Sequence, residues 1–183
     1  MRIISGSAGG IRLKVPKRVA RPSTDRLREA LFSILGPWVD GVRVLDLFSG
    51  SGALGIEALS RGAREAVFVE ENAGACGVIR SNLEAAGLAG RVVRGDVFAT
   101  LRREAGEFGL ILADPPYALP GRADLAGRLL GCPDLPARLE SGAMLVLEVE
   151  AEREPPAGDG WDLRDRRVYG SSAILFYERE PAP

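Results

Sequence analysis

From residue 42 onward, short apolar runs alternate with segments whose apolar residues recur at helical spacing. Val42–Phe48 is an apolar-rich run ending in glycines, and Ala53–Ser60 then reads as a helix. Ala66–Val69 predicts a second strand, with a helix over Ala73–Ala86 behind it. Arg91–Val93 predicts a third strand, Val97–Arg103 a helical turn or two, and Phe108–Ala113 a fourth strand. Arg122–Leu130 suits a helix and Ala143–Val149 a fifth strand. Short apolar strands separated by helices predict βαβ units and a parallel sheet covered on both faces. After Pro155-Pro156 the pattern changes: Trp161–Tyr169 and Ala173–Arg179 predict two strands around Gly170-Ser171. The expected architecture is a doubly wound α/β sheet with an antiparallel hairpin at one edge.

Upstream, residues 2–5 and 10–15 flank Gly6, Gly9 and Gly10, which predicts a small hairpin or two short strands. Arg21-Pro22-Ser23-Thr24 leads into a helix from about Thr24 to Leu35, capped by Ser23 or Thr24. Leu27, Leu31, Ile34 and Leu35 fall on one face of it. The chain thus divides into a short N-terminal extension (1–36) and a core domain (37–183).

Composition narrows the chemistry. The 183 residues are 46% hydrophobic and 27% charged, ordinary for one globular domain. No apolar run approaches the ~18–20 residues that cross a bilayer, and the start lacks a signal-peptide core, so a cytoplasmic domain is expected, with a monomer as the default since the sequence carries no sign of oligomeric state. There is no histidine, and Cys76 and Cys132 are the only cysteines. Serine–histidine triads and most zinc sites are thereby excluded, and no metal is expected. Catalysis must rest on carboxylates, backbone groups, aromatic faces or a cofactor.

The net charge of −1 conceals an asymmetry. Residues 1–28 carry Arg2, Arg12, Lys14, Lys17, Arg18, Arg21, Arg26 and Arg28 against Asp25, a net of +7; the rest carries −8. A basic segment on an acidic body is an expected footprint for nucleic-acid phosphate.

In an open α/β sheet, ligands sit beyond the carboxyl ends of the strands, where strand order reverses. The first strand runs into Asp46-Leu47-Phe48-Ser49-Gly50-Ser51-Gly52, followed by Gly55. Glycines there permit a tight turn and close backbone approach. Gly50-x-Gly52-x-x-Gly55 also matches a dinucleotide fingerprint, so a nicotinamide oxidoreductase is one reading. Acids end the later strands too: Glu70 for ribose hydroxyls, Asp96 for an adenine amine beside the Val97 amide, and Asp114. Each alone suits a helix cap. Together with Asp46 they suit a cationic sulfonium cofactor, S-adenosylmethionine, better than a pyrophosphate.

Asp114-Pro115-Pro116-Tyr117 follows the fourth strand directly. Its prolines stiffen the loop and carry no N–H, leaving the Asp114 and Pro115 carbonyls as acceptors. Tyr117 offers a flat face for a base. Methylating an exocyclic base amine needs this combination, because acceptors on the two amine hydrogens raise the nucleophilicity of a lone pair otherwise delocalised into the ring.

Asp114-Pro115-Pro116-Tyr117 resembles the Asp/Asn/Ser-Pro-Pro-aromatic signature of class I amino-methyltransferases acting on nucleic-acid bases. DLFSGSGALGIEALSRGA (residues 46–63) resembles the cofactor motif of the RsmD family of bacterial 16S rRNA (guanine-N2)-methyltransferases. MRIISGSAGGIRLKVP (1–16), RPSTDRLREALFSIL (21–35) and YGSSAILFY (169–177) resemble that family as well, so the likeness covers nearly the whole chain. It implies the class I, Rossmann-like S-adenosylmethionine-dependent fold and methylation of guanine 966 at N2, leaving S-adenosylhomocysteine. It implies 16S rRNA, in the small subunit or a late assembly intermediate, as partner. Carried over by motif, Asp46, Phe48, Ser49, Gly50 and Gly52 line the cofactor pocket, and Thr24 approaches the cofactor's methionine end. Glu70 holds the ribose, Asp96 and Val97 the adenine. Asp114, also beside the cofactor, and the Pro115 carbonyl hold the target amine, while Pro116 stiffens the loop and Tyr117 stacks on the base. Ser23 stands where many members have threonine.

The expected reaction is direct in-line transfer without a covalent enzyme intermediate. Cytosine-C5 enzymes need a nucleophilic cysteine, and Cys132-Pro133 lies on a segment away from the loop, so Cys132 reads as structural. The alternatives are an adenine-N6 methyltransferase on DNA or RNA, the oxidoreductase, and a nonenzymatic RNA-binding factor.

Overall fold

Residues 1–16, 24–104, 106–117 and 123–179 are described by the structure, a computed structural model. Lys17, Arg18, Arg21, Ser23 and Arg122 lie outside the described residues. Helix α1 spans Asp25–Leu35; β1 Arg43–Leu47, α2 Ala53–Ser60, β2 Glu65–Glu70, α3 Ala73–Ala86 and β3 Arg91–Arg94 follow. The chain continues through α4 Val97–Arg103, β4 Phe108–Ala113, α5 Leu125–Leu130, β5 Leu139–Glu150, β6 Trp161–Tyr169 and β7 Ser172–Arg179.

The seven strands form one sheet in the order β3-β2-β1-β4-β5-β7-β6. β3 through β5 pair in parallel, whereas β7 pairs antiparallel with both β5 and β6. The terminal hairpin therefore inserts β7 against β5 and leaves β6 at the edge.

Alternate residues of each strand face opposite layers, as the two-residue period of a strand requires. Val44, Phe68, Leu110 and Leu112 join Leu31 and Phe32 of α1, Ile56 of α2 and Ile79 of α3 in one cluster. Leu45, Val67, Ile111 and Leu145 join Phe98 and Leu101 of α4 and Leu129 of α5 in the other. Cys132 is buried in this second cluster.

Three expectations are corrected. β5 begins at Leu139 rather than Ala143: its register against β4 shifts between Phe108 and Leu110, and the exposed Ser141 and Gly142 hide the continuity from the apolar pattern. The N-terminal hairpin forms without extended strands: beside one bridge, Arg2 to Arg12, the Ile3 amide donates to the Ile11 carbonyl at 2.9 Å, the Gly10 amide to the Ile3 carbonyl at 2.8 Å and the Leu13 amide to the Met1 carbonyl at 3.2 Å. Other amides of the segment bond to the core: the Ile4 and Ser5 amides donate to the buried Glu57 carboxylate at 2.7 and 3.1 Å, and the Ala8 amide to Ser60 Oγ at 3.0 Å. Ile3, Ala8 and Leu13 enter the same cluster as α1 and α2.

The third correction concerns charge. Arg28 is wholly buried, donating to the Arg2 carbonyl and, at 2.8 Å, to Asp25. Burial pulls its guanidinium below the usual value, and it is withdrawn from any phosphate. Arg2, Arg12, Lys14 and Arg26 are exposed. Among the described residues, no helix is long and apolar enough to cross a membrane.

Candidate active site

Because Leu47 of β1 registers with both Val69 of β2 and Ala113 of β4, the residues after these strands meet at one edge. They open on a cleft of about 1770 Å³, where strand order reverses. A typical small-molecule pocket holds roughly 300–1,000 Å³, so this cleft has room for a cofactor and a base together. Among the described residues, its charged wall comprises Arg26 and six carboxylates: Asp46, Glu70, Glu71, Asp96, Asp114 and Glu148.

The chain leaves β1 through Phe48, whose φ of 58° lies in the left-handed region that bulky residues avoid. Ser49 holds this turn, its amide donating to the Val69 carbonyl at 3.1 Å and its hydroxyl to the Asp46 carbonyl at 2.6 Å. The Gly50 amide then donates to Glu70 Oε2 at 2.9 Å, and the Asn72 amide to Glu70 Oε1 at 2.8 Å. A glycine-loop amide already engaged by a carboxylate is ill suited to pyrophosphate.

Asp46 is 1% exposed, and its Oδ2 accepts the Gly55 amide at 2.9 Å. Gly52, the N-cap of α2, has no side chain to cap the helix, so Asp46 supplies the acceptor. Burial pushes the Asp46 carboxyl up to about 7; the Gly55 N–H pulls it down, and the Glu70 charge adds to the rise.

Thr24 and Asp96 each serve a helix. Thr24 Oγ1 accepts the Leu27 amide at 3.2 Å, and Asp96 Oδ1 accepts the Ala99 amide at 2.8 Å. Both also line the cleft, as does Val97, whose N–H belongs to the unpaired first turn of α4. Gly52 is the one proposed site residue outside the cleft wall: its φ is 77°, and an added Cβ would meet Ile79 Cγ2 at 3.0 Å.

Asp114, Pro115, Pro116 and Tyr117 complete the wall beyond β4. The Tyr117 hydroxyl shares a hydrogen bond with Ser172 Oγ at 2.7 Å and lies 3.5 Å from Glu148 Oε1. Burial raises the Tyr117 phenol against the Ser172 hydrogen bond, and the Glu148 and Asp114 charges add to the rise, so it stays protonated at neutral pH.

Glu148 and Ser172 were missed by the sequence reading. Glu148 is the only charged residue in the run Ala143–Val149, a further acid near a strand end. Ser172 has no local signal beyond its place in YGSSAILFY. Asn82 was also missed: buried on α3, it donates to the Ser51 carbonyl at 2.9 Å and the Lys14 carbonyl at 3.0 Å, tying the glycine loop to the N-terminal segment.

The family model described as "Conserved hypothetical protein 95" matches residues 1–178. The Bacillus subtilis protein named "Putative rRNA methyltransferase YlbH" is 38% identical, over 98% of this chain and 99% of that one. "Ribosomal RNA small subunit methyltransferase D" of Escherichia coli is 35% identical, over 98% of this chain and 90% of its own. The solved structure of "Putative methyltransferase yhhF from Escherichia coli" has a TM-score of 0.86 at 33% identity, covering 100% of this chain and 99% of that one. With this strand order, this cleft and this full-length likeness, the chain has the class I methyltransferase fold and belongs to the conserved hypothetical protein 95 family, the RsmD family.

Proposed function

We propose that the protein is an S-adenosylmethionine-dependent methyltransferase that methylates N2 of guanine 966 in 16S rRNA of the small ribosomal subunit. The observation that carries this reading is the opening of the Asp114–Tyr117 loop onto the same cleft as the Asp46 and Glu70 carboxylates. The names of the full-length relatives support rRNA as substrate.

The wall fits the cofactor. Among the described residues, six carboxylates against one arginine suit a sulfonium and an ammonium and disfavour a pyrophosphate. Asp46, buried with its carboxyl pushed up to about 7, is a carboxylate that a cation would relieve. Glu70 is oriented by two backbone amides toward a ribose diol, and Asp96 with the Val97 amide faces an adenine edge. Ser49 and the left-handed Phe48 hold the turn that shapes the pocket, Gly50 and Gly52 let it turn, and Thr24 borders the methionine end.

When bound, the cofactor supplies an activated methyl group on a cationic sulfur. The protein's part is to hold the amine. The Asp114 carboxylate and the Pro115 carbonyl accept its two hydrogens, and Pro116 keeps the loop extended. As the nitrogen gains the methyl group it loses one proton, which passes to the adjoining Asp114 carboxylate and from there to solvent. Tyr117, tethered through its hydroxyl, presents its ring to the base. Turning the guanine out of its helix or loop costs about a few kcal/mol, and stacking returns about 1–3 kcal/mol. Exposed Arg2, Arg12, Lys14 and Arg26 give the N-terminal extension its RNA-contacting role, and the protein acts as a monomer.

The test uses tritiated S-adenosylmethionine with unmodified small subunits and with naked 16S rRNA, followed by nucleoside analysis. Label in N2-methylguanosine supports the reading; label in N6-methyladenosine, or none with the cofactor bound, overturns it.

A further inference from the structure

The glycine loop and the N-terminal extension meet at one buried side chain. Asn82 of α3 is 1% exposed; its Oδ1 accepts the Lys14 amide at 2.8 Å, and its Nδ2 donates to the Lys14 carbonyl at 3.0 Å. The second hydrogen of Nδ2 goes to the Ser51 carbonyl at 2.9 Å. The carboxamide thus pairs with both backbone groups of Lys14, as a neighbouring strand would, and spends its remaining donor on the loop after β1. Ile79 lies on the same face of α3, three residues earlier, and sits where a Cβ on Gly52 would fall, at 3.0 Å. Two contacts run alongside: Lys14 Nζ donates to Ser81 Oγ at 2.9 Å, and the Ser51 hydroxyl lies 3.7 Å from Met1 Sδ.

The two partners of Asn82 face different ligands. Exposed Arg12 and Lys14 belong to the surface assigned above to RNA. Gly50 and Ser51 belong to the cleft wall assigned to the cofactor, and the extension reaches that wall as well, through Met1, Pro16 and Thr24. A ligand filling the cleft therefore restrains the extension twice, at its own wall residues and through the loop to which Asn82 clasps it. A segment ordered by one ligand costs the next ligand less conformational entropy, and the two then bind cooperatively.

We propose that Asn82 is a positioning residue that couples cofactor and RNA: it clasps the RNA-contacting extension to the cofactor loop, so that each ligand tightens the binding of the other by the same factor. This rests on the functional reading above, in which the extension contacts RNA, and adds to it the joint between the two sites. A carboxamide suits the joint because it offers an acceptor and two donors together. Alanine there removes all three bonds at once.

The experiment measures the affinity of fluorophore-labelled protein for unmodified small subunits by anisotropy, with and without saturating S-adenosylhomocysteine, which transfers no methyl group. The wild-type protein is expected to bind subunits about fivefold or more tightly when S-adenosylhomocysteine is present. In Asn82→Ala that factor is expected to fall below about twofold. Leu101→Ala, a truncation in the hydrophobic layer on the other side of the sheet, lowers stability without touching the joint and should keep the factor whole. Hydrogen exchange on the wild-type protein needs no substitution. S-adenosylhomocysteine should slow exchange of the Lys14 amide by about fivefold or more, and should slow the Ala8 amide, held by Ser60 Oγ instead, by less.

The factor separates coupling from support. If Asn82 were only a structural bond, Asn82→Ala would weaken subunit binding equally with and without S-adenosylhomocysteine, which overturns the proposal. A wild-type factor near one, or a Lys14 amide indifferent to the ligand, overturns it too. Each of these leaves the functional reading standing, provided that the wild-type protein binds subunits and forms N2-methylguanosine. A protein that binds S-adenosylhomocysteine but neither binds nor methylates the subunits fails that reading, and the coupling with it.

Discussion

Gly55 lies so close to Asp46 that its amide donates to the carboxylate at 2.9 Å, and there is no room for a side chain between them. A Cβ built on Gly55 would fall 2.4 Å from Phe68 Cε1 and 3.0 Å from Asp46 Oδ2. The third glycine of the loop therefore serves strand–helix packing and holds the carboxylate that faces the cleft. Gly55→Ala is expected to cost about 1–3 kcal/mol, the usual penalty of overpacking a filled core. Urea unfolding measures it, and cofactor affinity should fall in parallel because Asp46 must shift. Unchanged stability would mean that Phe68 turns aside freely.

The titration of Asp46 gives the cofactor site a pH dependence. Its folded-state carboxyl titrates at about 7, above the unfolded value near 3.8, so the free protein holds this proton more tightly than the unfolded chain. The contribution of Asp46 to free-protein stability thus declines as pH rises from about 4 to 7. A cationic ligand favours the ionised form and expels the proton. S-adenosylmethionine affinity should therefore rise with pH, by up to about tenfold per unit below 7, and level off above it. Calorimetry in buffers of different ionisation enthalpy would show the proton release. Asp46→Asn should abolish the pH dependence as well as weaken binding, and a variant that kept the slope would place the titrating group elsewhere.

In the proposed reaction Asp114 contacts the amine, while Asp46 and Glu70 hold the cofactor. Asp114→Asn should lower kcat by about 100-fold or more, the scale for losing one group aimed at developing charge. Cofactor dissociation measured without RNA should change by less than about threefold. Equal losses in both would assign Asp114 to cofactor binding instead.

Two neighbouring arginines on α1 are expected to behave oppositely. Arg26 is exposed at the cleft, so Arg26→Ala should weaken RNA binding and reduce the salt slope of log K by about 1 with little effect on melting. Arg28 is buried on Asp25 and the Arg2 carbonyl, so Arg28→Ala should lower the melting temperature and leave the salt slope unchanged. Filter binding across a salt series, beside thermal unfolding, distinguishes the two.

Glu57 fastens the N-terminal segment to the core. It is fully buried and accepts from the Ile4 and Ser5 amides and from Arg61 Nε at 2.7 Å. Glu57→Ala would leave two amides and a guanidinium without their acceptor and is expected to cost about 3 kcal/mol. Protease cleavage confined to the first fifteen or so residues, appearing before global unfolding, would show the segment released.

Much of this protein is written locally. Ala53–Ser60, Ala73–Ala86, Phe108–Ala113 and Trp161–Tyr169 are found at the boundaries the local pattern predicts, because apolar runs and helical spacings bounded by turn residues, including the wholly buried Ala53–Ser60 and Phe108–Ala113, are declared by nearby residues alone. The glycine loop and Asp114–Tyr117 are legible for the same reason, since turn and proline chemistry act over a few residues. Tertiary structure decided what depends on distant partners. The anchoring of the N-terminal hairpin came from far along the chain, because Glu57 and Ser60 accept the Ile4, Ser5 and Ala8 amides. Arg28 lost its place in the basic surface because α1 turned it under the Arg2 carbonyl. The joining of Glu148, Ser172 and Tyr117 required β7 to pair against β5, beside the loop after β4, and no local pattern encodes that pairing. Burial likewise set the Asp46 titration: a carboxyl's charge state answers to the whole packed environment, which only the folded chain supplies.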